Sequence, residues 1–117
     1  YLEVVNIKPF GELVAKFDTG NGASAPTIHA EKMKVNGKKV TWTLNGKTIT
    51  SDILREVKVD VGGLNDYTEE RYAILLDLEF TGTLYKGVEF LIDDRGDRTP
   101  ILFNRQIMRM LNGFNQL

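Results

Sequence analysis

Asn36-Gly37 and Asn45-Gly46 stand on either side of Lys39 to Leu44, and no other feature of the chain restricts its fold so tightly. The tightest hairpin turn needs positive φ at both central residues, which Asn and Gly adopt at least cost. An Asn-Gly pair between alternating segments therefore signals two antiparallel strands. Two such pairs in succession predict two hairpins that share the strand Lys39 to Leu44. The same alternation, punctuated by Gly, Asn and Asp, recurs along the chain. Val4 to Ile7 and Leu13 to Phe17 flank Pro9 to Glu12 as a first hairpin. Arg55 to Val61 alternates charged with apolar residues, breaks at Gly62-Gly63-Leu64-Asn65-Asp66, and resumes as a long strand from Arg71 to Phe80. That stretch reads as a projecting hairpin with a glycine tip. Val88 to Ile92 is a further strand, Asp93 to Thr99 a charged turn, and Ile101 to Phe103 a last core strand. Gln106 to Leu111 has helical character and stops at Asn112-Gly113, a C-cap pair. The expected class is all-β, from antiparallel strands with one short C-terminal helix.

The 117 residues fit one domain, 1–117, with no internal repeat or linker, large enough to bury roughly two thirds of the surface its unfolded chain exposes. Without cysteine there is no disulfide framework, thiolate nucleophile or zinc ribbon. Fifteen Lys and Arg against sixteen Asp and Glu give a net charge of −1, with no run of like charge that would mark a nucleic-acid footprint. No apolar run is long enough to span a bilayer, and the N-terminus lacks a charged-then-apolar signal pattern. These features point to no nucleic-acid or membrane partner and to a cytoplasmic or virion-associated location. A start at Tyr1 rather than Met reads as excision from a longer polypeptide.

Some residues invite a chemical reading and have a plainer one. Asp18-Thr19-Gly20, directly after the apolar run Leu13 to Phe17, is by itself a common turn composition. His29 is the only histidine and has no HExxH or cysteine partner, so it reads as a framework residue rather than a zinc ligand. Asp93-Asp94 with Asp97 lacks the twelve-residue calcium pattern and includes Arg95 and Arg98, as a solvated turn would. Trp42 reads as core, and Met108 and Met110 as helix packing. Neither a metal nor a cofactor is expected.

The motifs together resemble those of the retropepsin-like aspartic peptidases, most closely the bacterial family often encoded beside ATP-grasp ligases and sometimes labelled ATP-dependent zinc protease. Leu13 to Gly20 resembles that family's strand and catalytic loop, and Ile28-His29-Ala30 its short Leu-His-Ala stretch. Val40 to Leu44 resembles the strand that follows. Glu70-Arg71 resembles the Glu-Arg of its rising strand, and Pro100-Ile101-Leu102-Phe103-Asn104-Arg105 its closing Pro-Val-Leu-Ile-Gly-Arg. Two departures stand out: Asn21-Gly22 intervene before Ala23-Ser24, and Asn104 replaces the closing Gly. Asn tolerates positive φ better than most residues but carries a side chain toward the catalytic loop.

The resemblance implies a retropepsin-like closed β-barrel with a flap hairpin, Arg55 to Phe80, tipped by Gly62, Gly63 and Leu64. It makes Asp18 the catalytic residue, with Thr19, Gly20, Asn104 and Arg105 supporting its loop. Arg105 would be a structural ion-pair partner at the helix start. The chemistry needs two carboxylates sharing one proton, because like charges about 3 Å apart cannot both ionise. The chain has no second Asp-Thr-Gly or Asp-Ser-Gly, so an active site requires a twofold homodimer acting on an extended peptide or protein. The function this implies is limited proteolysis by an aspartic endopeptidase. The alternatives are a catalytically silent dimerisation or peptide-binding module, and a hydrolase of an unusual amide such as a polyglutamate tail.

Overall fold

A computed structural model of the chain describes residues 1–17, 25–61 and 67–112. The first hairpin pairs β1 (Leu2–Ile7) with β2 (Gly11–Phe17) in the register Leu2↔Lys16 to Ile7↔Gly11. Along β2 the alternation works as a half-buried strand requires: Leu13, Ala15 and Phe17 face the core while Glu12, Val14 and Lys16 face out. After β3 (Thr27–His29) the chain builds a separate antiparallel sheet from β4 (Glu31–Asn36), β5 (Lys39–Leu44) and β6 (Lys47–Asp52). It then forms β7 (Arg55–Val61), the long β8 (Tyr67–Phe80), β9 (Thr83–Asp93), β10 (Ile101–Phe103) and one helix, α1 (Arg105–Asn112).

Seven strands form the main sheet in the order β1-β2-β10-β3-β9-β8-β7, and a further pairing of β1 with β8, at Asn6↔Glu79 and Ile7↔Leu78, closes six of them into a barrel. β8 makes this possible because it serves two partners along one edge. Residues 67–73 carry β7, and residues 78–79 meet β1. The barrel and the β7–β8 hairpin agree with expectation, and so does the helix. The strand directions agree only in part. β2 pairs with β10, and β3 with β9, in parallel. Both pairs join segments far apart in sequence, which turn signals cannot orient.

Asn45 (φ 51°) and Gly46 (φ 75°) form the expected two-residue turn between the paired Leu44 and Lys47. The other Asn-Gly does not. Asn36 is still in the ladder, opposite Lys39, and the turn is Gly37-Lys38 with positive φ at Gly37 (62°), which suits the turn type that needs glycine only first. A third tight turn, Thr81 (φ 49°) and Gly82 (φ 82°), joins Phe80 to Thr83. It lengthens β9 backwards by five residues from the expected Val88, because Thr at a turn centre is a poor sequence signal. β4 lies at one edge of the small sheet, exposed at all six positions, with a register shift between Glu31 and Lys34 and positive φ at Lys32 (52°).

One continuous apolar core joins the two sheets. Ile7, Ile28, Ile74, Leu78, Phe90 and Phe103 from the barrel are fully buried, as is Trp42 from β5. Trp42 packs at 5.0 Å on Phe10 and donates its indole N–H to Ser51 Oγ at 3.0 Å, so its one polar atom is satisfied. Of the two helix methionines, Met108 is buried and Met110 is not. Among the described residues no helix is long and apolar enough to cross a membrane.

Thr81 is the turn residue least suited to its conformation, being β-branched in the left-handed region. Thr81→Asn should raise unfolding stability by about 0.5–1 kcal/mol, read as a higher denaturant midpoint at unchanged slope. No gain would mean that the Thr side chain holds a compensating contact.

Candidate active site

Asp18, Thr19, Gly20, Asn21 and Gly22 lie outside the described residues, as do Gly62, Gly63 and Leu64. What the structure gives is the frame from which the 18–24 segment departs. Phe17, at the end of β2, is buried and sits opposite Phe103 at the end of β10. Their rings meet edge to face at 4.8 Å, and Phe17 also stacks on Tyr1 at 4.9 Å. Tyr1 extends the ladder: its carbonyl accepts the Phe17 N–H at 2.7 Å, and its nitrogen donates to the Phe17 carbonyl at 3.1 Å. The chain therefore enters 18–24 beside the point where it enters α1. It re-emerges at Ala25, buried against Ala73 and Leu91, and at Pro26, whose carbonyl accepts the Leu91 N–H at 2.8 Å.

Asn104 is 1% exposed. Its Oδ1 accepts the N–H of Ile107 at 3.1 Å, and its carbonyl accepts the N–H of Met108 at 3.2 Å. It is the N-cap of α1, among the residue types best suited to that position. The left-handed φ allowed for at 104 is not used: among the described residues those with positive φ other than glycine are Lys32, Asn45 and Thr81. A cap residue takes extended backbone instead. Arg105 follows as the first helical residue and is exposed. It forms no ion pair with a described residue, so the bracing role expected of it finds no partner there. Ile107, Met108 and Leu111 carry the buried stripe of the helix.

A groove of about 410 Å³ opens beside this frame, lined among others by Ala25, Pro26, Val88, Asn104, Ile107 and Met110. One wall is Glu89, gripped by Arg55 from β7 through Nε at 3.2 Å and Nη2 at 2.5 Å. Accepting this two-pronged bond makes Glu89 hold the Arg55 guanidinium above its usual pKa. Gly87 (φ 64°) makes a bulge in β9 there, and its N–H is taken by Asp77 Oδ1 at 3.0 Å.

At the other end of β3 lies a polar network. His29 is buried, and both ring nitrogens are engaged, Nε2 with Glu31 Oε2 at 2.8 Å and Nδ1 with the Arg95 N–H at 2.9 Å. It is built into the frame. Arg71 reaches Asp93 at 3.3 Å and Glu69 at 3.6 Å, and its Nε is buried without a hydrogen-bond partner. Arg95 is 8% exposed and donates from Nε to the Thr99 carbonyl at 2.7 Å. Burial lowers its pKa most, Arg98 and Arg71 add repulsion, and Asp93 opposes them. The Asp93 to Thr99 segment is thus a braced turn rather than only a solvated one. A hint lay in the sequence: two arginines among three aspartates, with a histidine beside a glutamate-bearing strand. Among the described residues no group of three or more His, Asp or Glu is arranged to hold a metal.

If Asn104 is a cap, Asn104→Ala should cost about 1–2 kcal/mol and Asn104→Gly only a few tenths more than the native residue. Arg105→Ala should stay within about 0.5 kcal/mol of the parent. Denaturant titration of the three variants checks the order. An equal loss for Gly and Ala at 104 would show that the side chain's burial, not its capping bond, matters.

No family model and no curated protein matches the chain. Among solved structures it is similar to a protein of unknown function, Lpg0085 (DUF785), from Legionella pneumophila subsp. pneumophila str. Philadelphia 1. The two share 19% sequence identity with a TM-score of 0.71, over 96% of this chain and 86% of that one. At that identity the likeness speaks for the fold alone: a small closed β-barrel with one short helix.

Proposed function

We propose that the chain is one subunit of a homodimeric aspartic endopeptidase in which two copies of Asp18 activate water. The observation that supports the reading is where β2, the strand that runs into Asp18-Thr19-Gly20 in the sequence, ends in the fold. The triplet follows directly on β2, at the end where β2 lies parallel to β10 inside a closed six-stranded barrel. An aromatic pair fixes that end, and a capped helix starts next to it. Such a support suits a reacting group that must be held to within a fraction of an ångström.

With two Asp18 carboxyls facing each other, one is ionised and takes a proton from water while the other donates a hydrogen bond to the scissile carbonyl. The water oxygen adds to the carbonyl carbon, the carbon–nitrogen bond breaks, and the proton leaves with the amine. Thr19 holds the two loops across the dimer, and Gly20 permits close approach of the backbones. The β7–β8 hairpin, tipped by Gly62, Gly63 and Leu64, serves as the flap over an extended peptide. The groove beside Ala25 and Ile107 offers apolar space for a side chain of that peptide.

Asp18→Asn tests this directly, because an amide keeps the carboxyl's shape but cannot accept the proton. Cleavage of a peptide library should fall by roughly 10²–10⁴-fold or below detection, with circular dichroism and sedimentation unchanged. The parent should show a bell-shaped pH profile on the acid side of neutral, since only the singly protonated pair works. Retained cleavage in the variant would reject the mechanism. An ordered dimer that cleaves nothing would favour a silent binding module.

A further inference from the structure

We infer that His29 is a proton-operated latch on the turn 94–100. A backbone N–H can only donate, so the 2.9 Å bond from Arg95 fixes Nδ1 as an acceptor and places the neutral ring's proton on Nε2, where it is donated to Glu31 Oε2 at 2.8 Å. A second proton must go to Nδ1. The imidazolium has two donors and no acceptor, so the Arg95 N–H then faces another N–H and loses its partner.

The surroundings supply a replacement. Asp94 Oδ1 lies 3.6 Å from Nδ1, too far for a hydrogen bond and near enough to make one by closing several tenths of an ångström. Glu31 from β4 already holds the other nitrogen, so the imidazolium would sit between two carboxylates. The remaining charged neighbours do not compete for it. Asp93 at the end of β9 is engaged by Arg71 from β8, and Arg95 and Arg98 turn their guanidinium Nε atoms to the carbonyls of Thr99 and Arg95.

Movement is confined to the middle of the turn. Its ends are pinned to β3 by the Ala30 N–H on the Asp93 carbonyl at 2.9 Å and the His29 N–H on the Pro100 carbonyl at 2.7 Å. Within it, the Gly96 N–H on Asp94 Oδ1 at 2.9 Å and the Arg98 N–H on the Arg95 carbonyl at 3.2 Å tie Asp94 and Arg95 to the residues that follow, so that the middle shifts as one piece. Protonation thus trades one bond, Arg95 N–H to Nδ1, for another, Nδ1–H to Asp94. The inference does not depend on peptidase activity, and neither does its test.

Nitrogen-15 NMR of the full chain reads it, since the sole histidine gives unambiguous ring signals. With the ring neutral, Nδ1 should show the shift of a bare ring nitrogen. On acidification it should gain a proton, the Arg95 amide should move with the same midpoint, and the protection factor of that amide should fall about tenfold. In His29→Gln the Arg95 amide should show no such transition, and in Asp94→Asn the ring midpoint should move to lower pH. If His29→Gln does not fold, the parental titration and Asp94→Asn decide. A neutral ring whose proton sits on Nδ1, an Arg95 amide that ignores the ring's titration, an equal transition in His29→Gln, or an unmoved midpoint in Asp94→Asn would overturn the latch.

Discussion

The parallel seam between β2 and β10 is the constraint on which the rest of the molecule depends. β10 has three residues, yet it is all that connects β2 to β3 in the barrel order. A ladder so short contributes little by its hydrogen bonds, so burial must hold it. Ile101 and Phe103 are fully buried, and Phe103 meets Phe17 edge to face. Loop-closure cost grows only slowly with separation, so joining residue 17 to residue 103 is affordable thermodynamically. It is costly in rate, because nothing rewards it until most of the chain is in place. The start of α1 and the exit of β2 inherit their positions from this one contact.

The barrel's other closure has a different character. β1 meets β8 over two residue pairs, on the same edge of β8 that carries β7 further back. A strand shared in this way cannot bend at one partner without tilting the other. The hairpin proposed as a flap therefore hangs from an element that also seals the barrel, and Arg55 on Glu89 ties its root across to β9.

How legible was all this in the sequence? The hairpins were, because Asn45-Gly46 and the alternation of Leu13, Ala15 and Phe17 are local signals with local causes. The Gly37-Lys38 turn and the Thr81-Gly82 turn were displaced or missed, since register is decided by the partner strand and the core rather than by the turn alone. β3 escaped notice because three buried residues have no period to read. The parallel seams escaped for a deeper reason: they pair segments whose proximity only the closed barrel creates. At the candidate site the roles divide in the same way. Asn104 as a cap could be read from its place before a helical stripe. The bonds of His29 to Glu31 and to the Arg95 amide could not, because they bring together three stretches that only the folded sheet makes neighbours.

The small sheet ends in β4, whose register slips between Glu31 and Lys34 around a left-handed Lys32. An open strand edge is ordinarily an invitation for another chain to add itself. Here the invitation is withdrawn twice over: the slip breaks the even spacing of donors and acceptors that an incoming strand would need, and the ammonium groups of Lys32 and Lys34 would have to be crowded against it. This edge is therefore a poor template for a further strand. The irregularity in β4 is thus a safeguard against fibrous assembly, written into a strand that contributes almost nothing to the core.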